Sequence, residues 1–292
     1  MAEAATQEIT VNPTSKGLAV IITNDYIGAK HLELKGTHLD GERMKNAFEA
    51  LNFDVCWKKN VNQIDIQRLW HEIKSFNFDV VKHYNCMTFV FSGHGEPKDR
   101  DGKLIMQDDT MIDICEDFIA PVLPGNAKMI GDIPKIFFID ACRGDDPTDT
   151  VDVPARNGAT GKGNSSNADP TTTRKGCYQI DLQKVPTEGN CLIAYSTLPG
   201  CRSNDYTGRG SLWLEALAKH LTTSHETVEV LLTDVNKELF TYYREHKLEF
   251  QQPEKMARLN DRLYLLPRGD GHKNREFVRC SPAAILPMVY YS

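Results

Sequence analysis

Short, mostly apolar runs alternate with amphipathic segments along most of the chain. Runs of this length, bounded by polar or glycine-rich residues, predict buried strands. They are Leu18 to Thr23, Phe53 to Lys58, Cys86 to Phe91, Ile136 to Ile139, Cys191 to Ser196 and Leu263 to Leu266. Successive apolar residues are typical of a parallel sheet that is buried on both faces.

Helices are predicted between the strands, where apolar residues recur at helical spacing. The first begins at a cap at Thr37 or Asp40 and ends at Leu51, and the second runs from Gln63 to Tyr84 with a break near Asn77. The others run from Ile112 to Leu123, from Leu212 to Leu221 after a Ser211 cap, and from Val228 to Leu239. Strand alternating with helix predicts an α/β fold with helices on both faces of the sheet.

The pattern divides the chain into five segments. Residues 1–16 are polar and are predicted to form a flexible leader before the first strands and helices, in residues 17–144. Residues 145–176 are rich in Gly, Asp, Asn, Ser, Thr and Pro, which predicts an exposed linker. Ordered structure is predicted again in residues 177–267, and residues 268–292 are predicted to be a tail.

Charge and cysteine content exclude several classes of function. A net charge of −6 gives no broad positive field, so neither nucleic acid nor membrane is an expected partner. No apolar stretch approaches the roughly 20 residues that cross a bilayer, and the first residues lack a secretory signal. The 8 cysteines form no CxxC pair, which favours reduced thiols in a cytoplasmic protein over disulfides or zinc.

Two predicted strands end in residues that carry chemistry. Asp140 to Gly144 (D-A-C-R-G) closes one strand, and Ser92 to Glu96 (S-G-H-G-E) closes another. Catalytic residues of open α/β sheets collect at the carboxyl ends of strands. Cys142 and His94 are about 50 residues apart, which leaves room for one crossover between neighbouring strands. Each alone has a structural explanation, but together they predict a nucleophilic Cys with its His.

These blocks resemble the caspases, in which the nucleophile lies in a Q-A-C-R-G motif with its His about 50 residues upstream. Ala194 to Gly200 and Gly210-Ser211 are also similar to caspase motifs. The likeness runs in order from about Leu18 to Leu266. The resemblance implies a caspase-like α/β sandwich of about six mostly parallel strands.

The resemblance also implies an activity, that of a cysteine endopeptidase acting on protein or peptide substrates. Cys142 would attack the scissile carbonyl, and His94 would serve as general acid and base. Backbone N–H groups of Gly95 and Cys142 would stabilise the oxyanion. Residues 145–176 would join a large-subunit-like part to a small-subunit-like part.

The residues expected to bind the substrate side chain before the cut (the S1 pocket) depart from the caspases. Caspases use two arginines and a glutamine to bind Asp, and the matching residues here are Leu34, Asp140 and Asp205. A guanidinium against carboxylates is a strong, directional pair, whereas a substrate carboxylate would meet like charge. Paracaspases and metacaspases, which Leu34 to Asp40 also resembles, have pocket acids matching Asp40 and Asp140.

The sequence therefore predicts cleavage after Arg or Lys, with Asp40, Asp140 and Asp205 in the S1 pocket. Two alternatives remain open. One is an Asp-specific caspase acting in programmed cell death, and the other is a catalytically weak regulator of a relative. The presence of both His94 and Cys142 argues against the regulator.

Local alternatives also remain for the pocket. Arg202 or Arg209 could return a cation to it, Asp40 could simply cap a helix, and Asp205 could be a solvated loop residue.

Self-processing would leave a record of specificity in the linker. The expected cuts follow Arg174 or Lys175, with Arg156 as the second choice. A homodimer is a further expectation that the sequence leaves open.

A loop rich in aspartate is the remaining candidate for a ligand site. Its acids are Asp99, Asp101, Asp108, Asp109 and Asp113. They lack EF-hand spacing, so a solvated acidic loop is favoured over a Ca²⁺ site, and no metal or cofactor is assigned.

Overall fold

A computed structural model describes residues 8–11, 16–31, 33–131, 133–148, 189–259 and 262–266. Its strands are β1 (Glu8–Val11), β2 (Lys16–Thr23), β3 (Phe53–Lys59), β4 (Tyr84–Ser92), β5 (Gly95–Glu96), β6 (Lys103–Ile105), β7 (Met111–Asp113), β8 (Lys135–Asp140), β9 (Cys191–Tyr195), β10 (Asp205–Tyr206), β11 (Gly210–Ser211), β12 (Glu254–Arg258) and β13 (Arg262–Leu265). Its α-helices are α1 (Thr37–Ala50), α2 (Gln63–Lys74), α3 (Phe78–Val81), α4 (Leu212–Thr223) and α5 (Val228–His246). A π-helical turn covers Ile114–Ile119, and 3-10 turns cover Ala120–Val122 and Lys128–Ile130.

Six strands form the central sheet in the order β12-β9-β8-β4-β2-β3. The strands from β9 to β3 pair in parallel, and β12 runs antiparallel to β9 at the edge. Every residue of β8 is buried, which explains its unbroken apolar run. The prediction of an α/β fold with about six mostly parallel strands is confirmed.

Helices cover both faces of this sheet and form two separate cores. On one face, α1, α4 and α5 pack through residues such as Leu217 and Leu232. On the other face, α2 and the π-helical turn pack through Trp70 and Phe118. Alternate residues of β8 enter the two cores, because successive side chains of a strand point to opposite faces.

Side-chain caps fix the starts of α2 and α4, among others. Asn62 and Asp65 form a reciprocal capping box at the start of α2. Ser211 caps α4 as predicted, by accepting a main-chain N–H of the first turn. The break near Asn77 is confirmed, since α2 and α3 are separate, and Tyr84 belongs to β4 rather than to a helix.

The prediction for the outermost strand is wrong. Leu263 to Leu266 was predicted as a strand of the main sheet, but β13 pairs in parallel with β1 outside it. The sixth strand of the sheet is β12, whose sequence Glu-Lys-Met-Ala-Arg is polar because an edge strand is only partly buried. β1 itself lies inside residues 1–16, so that segment is not wholly a flexible leader.

Several predictions lie outside the described residues. Residues 149–188 hold most of the predicted linker with Arg156, Arg174 and Lys175, and residues 267–292 hold the predicted tail. Among the helices that the structure describes, none combines the length and hydropathy needed to span a bilayer.

Candidate active site

The predicted nucleophile and histidine lie at neighbouring strand ends. β4 and β8 pair in parallel, and their last register pair joins Ser92 to Asp140. His94 and Cys142 each follow this pair closely, so both leave the sheet at the same edge. They line one cavity of about 170 Å³. Its lining is completed by Leu34, Thr37, Ser92, Gly93, Asp140, Ser203, Asn204 and Asp205.

The thiol of Cys142 is half-buried against the backbone of Ser203. The Ser203 N–H donates to Sγ at 3.3 Å, and Sγ lies 3.5 Å from the Ser203 carbonyl oxygen. Burial raises the pKa of the thiol, the Ser203 amide lowers it, and the charge of Asp140 raises it again. The resting thiol is therefore protonated at neutral pH, and its attack on a carbonyl requires a base in the cavity.

The main chain at His94 is held on both sides. Its N–H donates to the Tyr26 hydroxyl at 2.8 Å, and its carbonyl accepts from the Ile105 N–H at 3.0 Å. The next residue, Gly95, lies so close to the Cys142 carbonyl oxygen that a Cβ would collide with it. Glycine permits this approach, so the backbone that follows His94 lies against the backbone of Cys142.

Asp140 is the buried carboxylate of the cavity lining. Ser203 Oγ donates to its Oδ1 at 2.8 Å, and Gln251 Nε2 donates to Ser203 Oγ at 3.1 Å. Burial raises the pKa of Asp140 to about 6, although hydrogen bonds from serines, Ser203 first, oppose the shift. Asp140 therefore ionises close to neutral pH, and a cation in the cavity would favour its charged form.

Asp40 lies inside the first turn of α1, so the prediction that Asp40 or Thr37 caps this helix is wrong. The N-cap is Gly36, and it makes no side-chain hydrogen bond. Both carboxylate oxygens of Asp40 instead accept the Ser211 N–H at 3.1 Å. The contact depends on Gly210, where φ is +81° and a Cβ would collide with the Asp40 carboxylate.

Asp40 supports the cavity from behind rather than lining it. It is 1% exposed, and Arg43 Nη1 lies 3.3 Å from its Oδ1. Burial and then the charge of Asp140 raise the pKa of Asp40 to about 8. Asp40 and Asp140 thus interact electrostatically, although only Asp140 is in the lining.

Asp205 lines the same cavity and comes from the part of the chain that follows the predicted linker. It begins β10, and its register partner in β11 is Ser211, whose N–H binds Asp40. Burial raises the pKa of Asp205, while an N–H bond from Gly36 and the charge of His94 lower it. Asp205 thus belongs to the cavity lining, and it is at the same time exposed to solvent.

The two arginines that could have entered the pocket are engaged elsewhere. Arg202 forms a two-point ion pair with Glu249, at 3.0 and 3.1 Å. Arg209 forms another with Glu215, at 2.7 and 3.0 Å, and its guanidinium stacks over Tyr242. No lysine or arginine is among the described residues that line the cavity.

The aspartate-rich loop does not converge on a point. Asp113 binds Lys98 at 2.6 Å and caps the π-helical turn, whereas Asp101 accepts from the Tyr195 hydroxyl at 3.2 Å. Asp109 lies 3.5 Å from His31, and Asp108 accepts from Thr110. Within the described ranges, no group of three or more His, Cys, Asp or Glu could hold a metal ion.

The raised pKa of Asp40 predicts an unusual pH dependence of stability. In the unfolded chain this carboxyl ionises near pH 4, but in the folded protein it stays protonated until about pH 8. Between these pH values the folded state binds more protons than the unfolded state. The contribution of Asp40 to the free energy of unfolding therefore falls as pH rises. Asp40→Asn keeps an acceptor for Ser211 and removes this loss.

The measurement is urea unfolding of wild type and Asp40→Asn at pH 5, 6.5 and 8.5. The variant should gain stability relative to wild type by about 2 kcal/mol or more across this range. Thr241→Val on α5, which removes no titrating group and lies outside the cavity lining, is the control and should differ from wild type by the same amount at every pH. Parallel pH curves for wild type and Asp40→Asn would contradict the assignment.

Tyr26 and Gln251 belong to the site, but sequence reasoning missed both. Tyr26 lies in an irregular loop, and Gln251 lies in the polar stretch before β12. Gln251 also accepts from the Asn204 N–H at 2.8 Å and donates to the Ser196 carbonyl at 2.9 Å. Neither residue has a periodic pattern around it, so no local signal could have identified them.

A parallel sheet that places a thiol and an imidazole on adjacent strand ends defines the class of α/β proteins with a Cys–His site. The sequence profile of the family described as Caspase domain matches residues 16–264. The chain belongs to this family, which is one of cysteine endopeptidases.

Curated relatives carry related names, and a solved structure shares the fold. The chain is 27% identical over 245 residues to Caspase-1 of Drosophila melanogaster, covering 80% of this chain and 66% of that protein. It is 27% identical over 273 residues to Cell death protein 3 of Caenorhabditis remanei, covering 87% and 51%. The crystal structure of Caspase-1 from Spodoptera frugiperda shares the fold, with a TM-score of 0.69, 20% identity and coverage of 88% and 94%. The chain thus spans about half to two thirds of the length of these two curated relatives.

Proposed function

We propose that the protein is a cysteine endopeptidase that cleaves after arginine or lysine. The observation that carries the proposal is the charge of the cavity beside Cys142. Asp140 and Asp205 line it, Asp40 lies behind it, and none of its described lining residues is a lysine or arginine.

In the proposed reaction, Cys142 Sγ attacks the scissile carbonyl carbon while His94 accepts the thiol proton. The N–H groups of Gly95 and Cys142 stabilise the resulting oxyanion. The C–N bond then breaks, and His94 returns its proton to the leaving amine. Water, deprotonated by His94, hydrolyses the thioester and restores the thiol.

A guanidinium suits this cavity for two physical reasons. Its planar donors can engage more than one carboxylate oxygen, and its charge is weakly hydrated for a cation. It also relieves the repulsion between Asp40 and Asp140, since a nearby cation lowers the pKa of each. When no cation is bound, the repulsion between the ionised acids raises the free energy of the pocket. Binding a cation removes part of this cost.

The test is a scan of fluorogenic peptides that differ only in the residue before the cut. Arg and Lys peptides should exceed the Asp peptide in kcat/KM by at least about a hundredfold. The kcat/KM for a peptide with citrulline, a neutral isostere of Arg, should lie between the values for the Arg and Asp peptides, because citrulline retains the shape of Arg without its charge. Preference for Asp over Arg would overturn the assignment of the pocket.

The second candidate is an Asp-specific caspase of programmed cell death. It is favoured by the names of the relatives, among them Caspase-1 and Cell death protein 3. In this candidate, protonated Asp40 and Asp140 would have to accommodate a substrate carboxylate. The peptide scan separates the two candidates, and repeating it at pH 5.5 tests the protonated pocket directly.

Other expectations for the whole protein stay predictions. They are a cytoplasmic location, a homodimer and self-processing between the two parts of the domain.

A further inference from the structure

The hydroxyl of Tyr26 is hydrogen-bonded to the main chain of His94. Tyr26 is 1% exposed, and its ring centroid is 4.5 Å from that of the His94 imidazole. Its hydroxyl donates to the Ile105 carbonyl at 2.6 Å and accepts from the His94 N–H at 2.8 Å. One side chain therefore contacts both the main chain and the ring of the proposed general base.

These contacts close into a ring of hydrogen bonds. The Tyr26 hydroxyl binds the Ile105 carbonyl, the Ile105 N–H binds the His94 carbonyl, and the His94 N–H binds the Tyr26 oxygen. Both main-chain groups of His94 are thus fixed against β6, whose last residue is Ile105. Fixing the peptide restricts the direction in which the imidazole leaves the backbone.

The surrounding structure is arranged to hold this hydroxyl in place. Tyr26 has φ +59°, a strained value for a bulky residue, and its N–H donates to Gln107 Oε1 at 3.1 Å. A Cβ on Gly93 would lie 2.6 Å from the Tyr26 oxygen, so the glycine makes room for it. Burial raises the pKa of Tyr26, which keeps the hydroxyl protonated as a donor to Ile105.

We propose that Tyr26 is a positioning residue that sets the orientation of the His94 imidazole toward Cys142 and the leaving group. It acts through the peptide of His94 and never touches the substrate. This inference rests on the proposed role of His94 as general acid and base. Its consequence is that the hydroxyl contributes to turnover rather than to substrate binding.

The decisive variant is Tyr26→Phe, which removes one oxygen and retains the ring. The His94 N–H and the Ile105 carbonyl then lose their partner, and the imidazole is free to rotate away. On the best peptide substrate kcat should fall about tenfold or more, while KM changes less than about threefold. The His94 Cε1–H signal in NMR should shift or broaden, since it reports the ring's surroundings.

Tyr84→Phe is the matched control. Tyr84 is also a buried residue whose hydroxyl bonds another residue, Asp54 Oδ2 at 3.1 Å, but it begins β4 at the opposite end of the strand. This variant should lose thermal stability comparable to that of Tyr26→Phe while kcat, KM and the His94 signal stay at wild-type values. Equal losses of kcat in the two variants would reduce Tyr26 to a structural role and overturn the proposal.

A second variant covers the case in which Tyr26→Phe does not fold. Gln107→Leu removes the acceptor of the Tyr26 N–H at a half-buried residue and should lower kcat in the same direction by about threefold. Wild-type kcat in a folded Gln107→Leu would then overturn the inference. His94→Ala is assayed beside them: if it retains activity, the proposed function fails, whereas a dead His94→Ala with unchanged Tyr26→Phe removes only the positioning role.

Discussion

Cys142→Ala is expected to lose peptide hydrolysis, with kcat/KM falling at least about a thousandfold, while the protein stays folded. Sγ is the proposed nucleophile, and alanine offers no atom that can form the acyl intermediate. The side chain is only half-buried at a strand end, and its described hydrogen bonds are with the main chain of Ser203. Thermal melting and kcat/KM on one Arg peptide measure both effects.

Cys201→Ala is the matched control for this experiment. Cys201 is also a half-buried thiol close to the site, and its carbonyl accepts from the Arg143 N–H beside Cys142. Because that bond uses only the main chain, Cys201→Ala should keep wild-type activity. A folded Cys142→Ala with most of the wild-type kcat/KM would show that the nucleophile lies elsewhere.

Wild type and Cys142→Ala, compared side by side, also test self-processing. Intact mass of freshly purified wild type should reveal fragments ending at Arg174, Lys175 or Arg156, residues outside the described part of the chain. Cys142→Ala should remain whole. Wild-type fragments that end in Asp would contradict the basic specificity, and an uncut wild type would remove the prediction of self-processing.

Asp140→Asn is expected to lower kcat/KM on Arg peptides by roughly 10- to 150-fold, or about 1.5–3 kcal/mol. The substitution removes a buried negative charge from the cavity lining. Asparagine has nearly the same shape and retains an acceptor for Ser203 Oγ, so the pocket and the contact with Gln251 are preserved. The loss should therefore come from the missing charge and appear only with a cationic substrate.

A matched substrate and a matched variant isolate that charge. The citrulline peptide, neutral but shaped like Arg, should be cut about equally by wild type and Asp140→Asn. Asp145→Asn removes another carboxylate that raises the pKa of the Cys142 thiol but lies outside the cavity lining, and it should affect Arg and citrulline peptides alike. If Asp140→Asn affects both peptides equally, Asp140 acts on the thiol and does not bind the substrate.

The site separates two roles that are close together in space. The thiol and imidazole occupy the ends of β8 and β4, where buried strands hold the main chain rigidly. Of the carboxylates beside them, Asp140 ends β8 itself, whereas Asp40 and Asp205 come from α1 and the β10–β11 hairpin, which pack against the sheet.

Local pattern was sufficient for much of the fold. The apolar run of β8 is explained by burial on both faces, and the Ser211 cap by one hydrogen bond within a single turn. The nearness of His94 and Cys142 followed because parallel neighbouring strands end at the same edge of a sheet. These features depend on residues close in sequence or on the general geometry of parallel strands.

Tertiary structure alone decided the rest. Asp40 meets the Ser211 N–H only because α1 and the β10–β11 hairpin pack together, and Tyr26 reaches His94 from an irregular loop. The edge strand β12 has no apolar run, since backbone pairing with β9 and not side-chain burial makes it a strand. Contacts between residues distant in the chain depend on how whole elements pack, and no local periodicity encodes that packing.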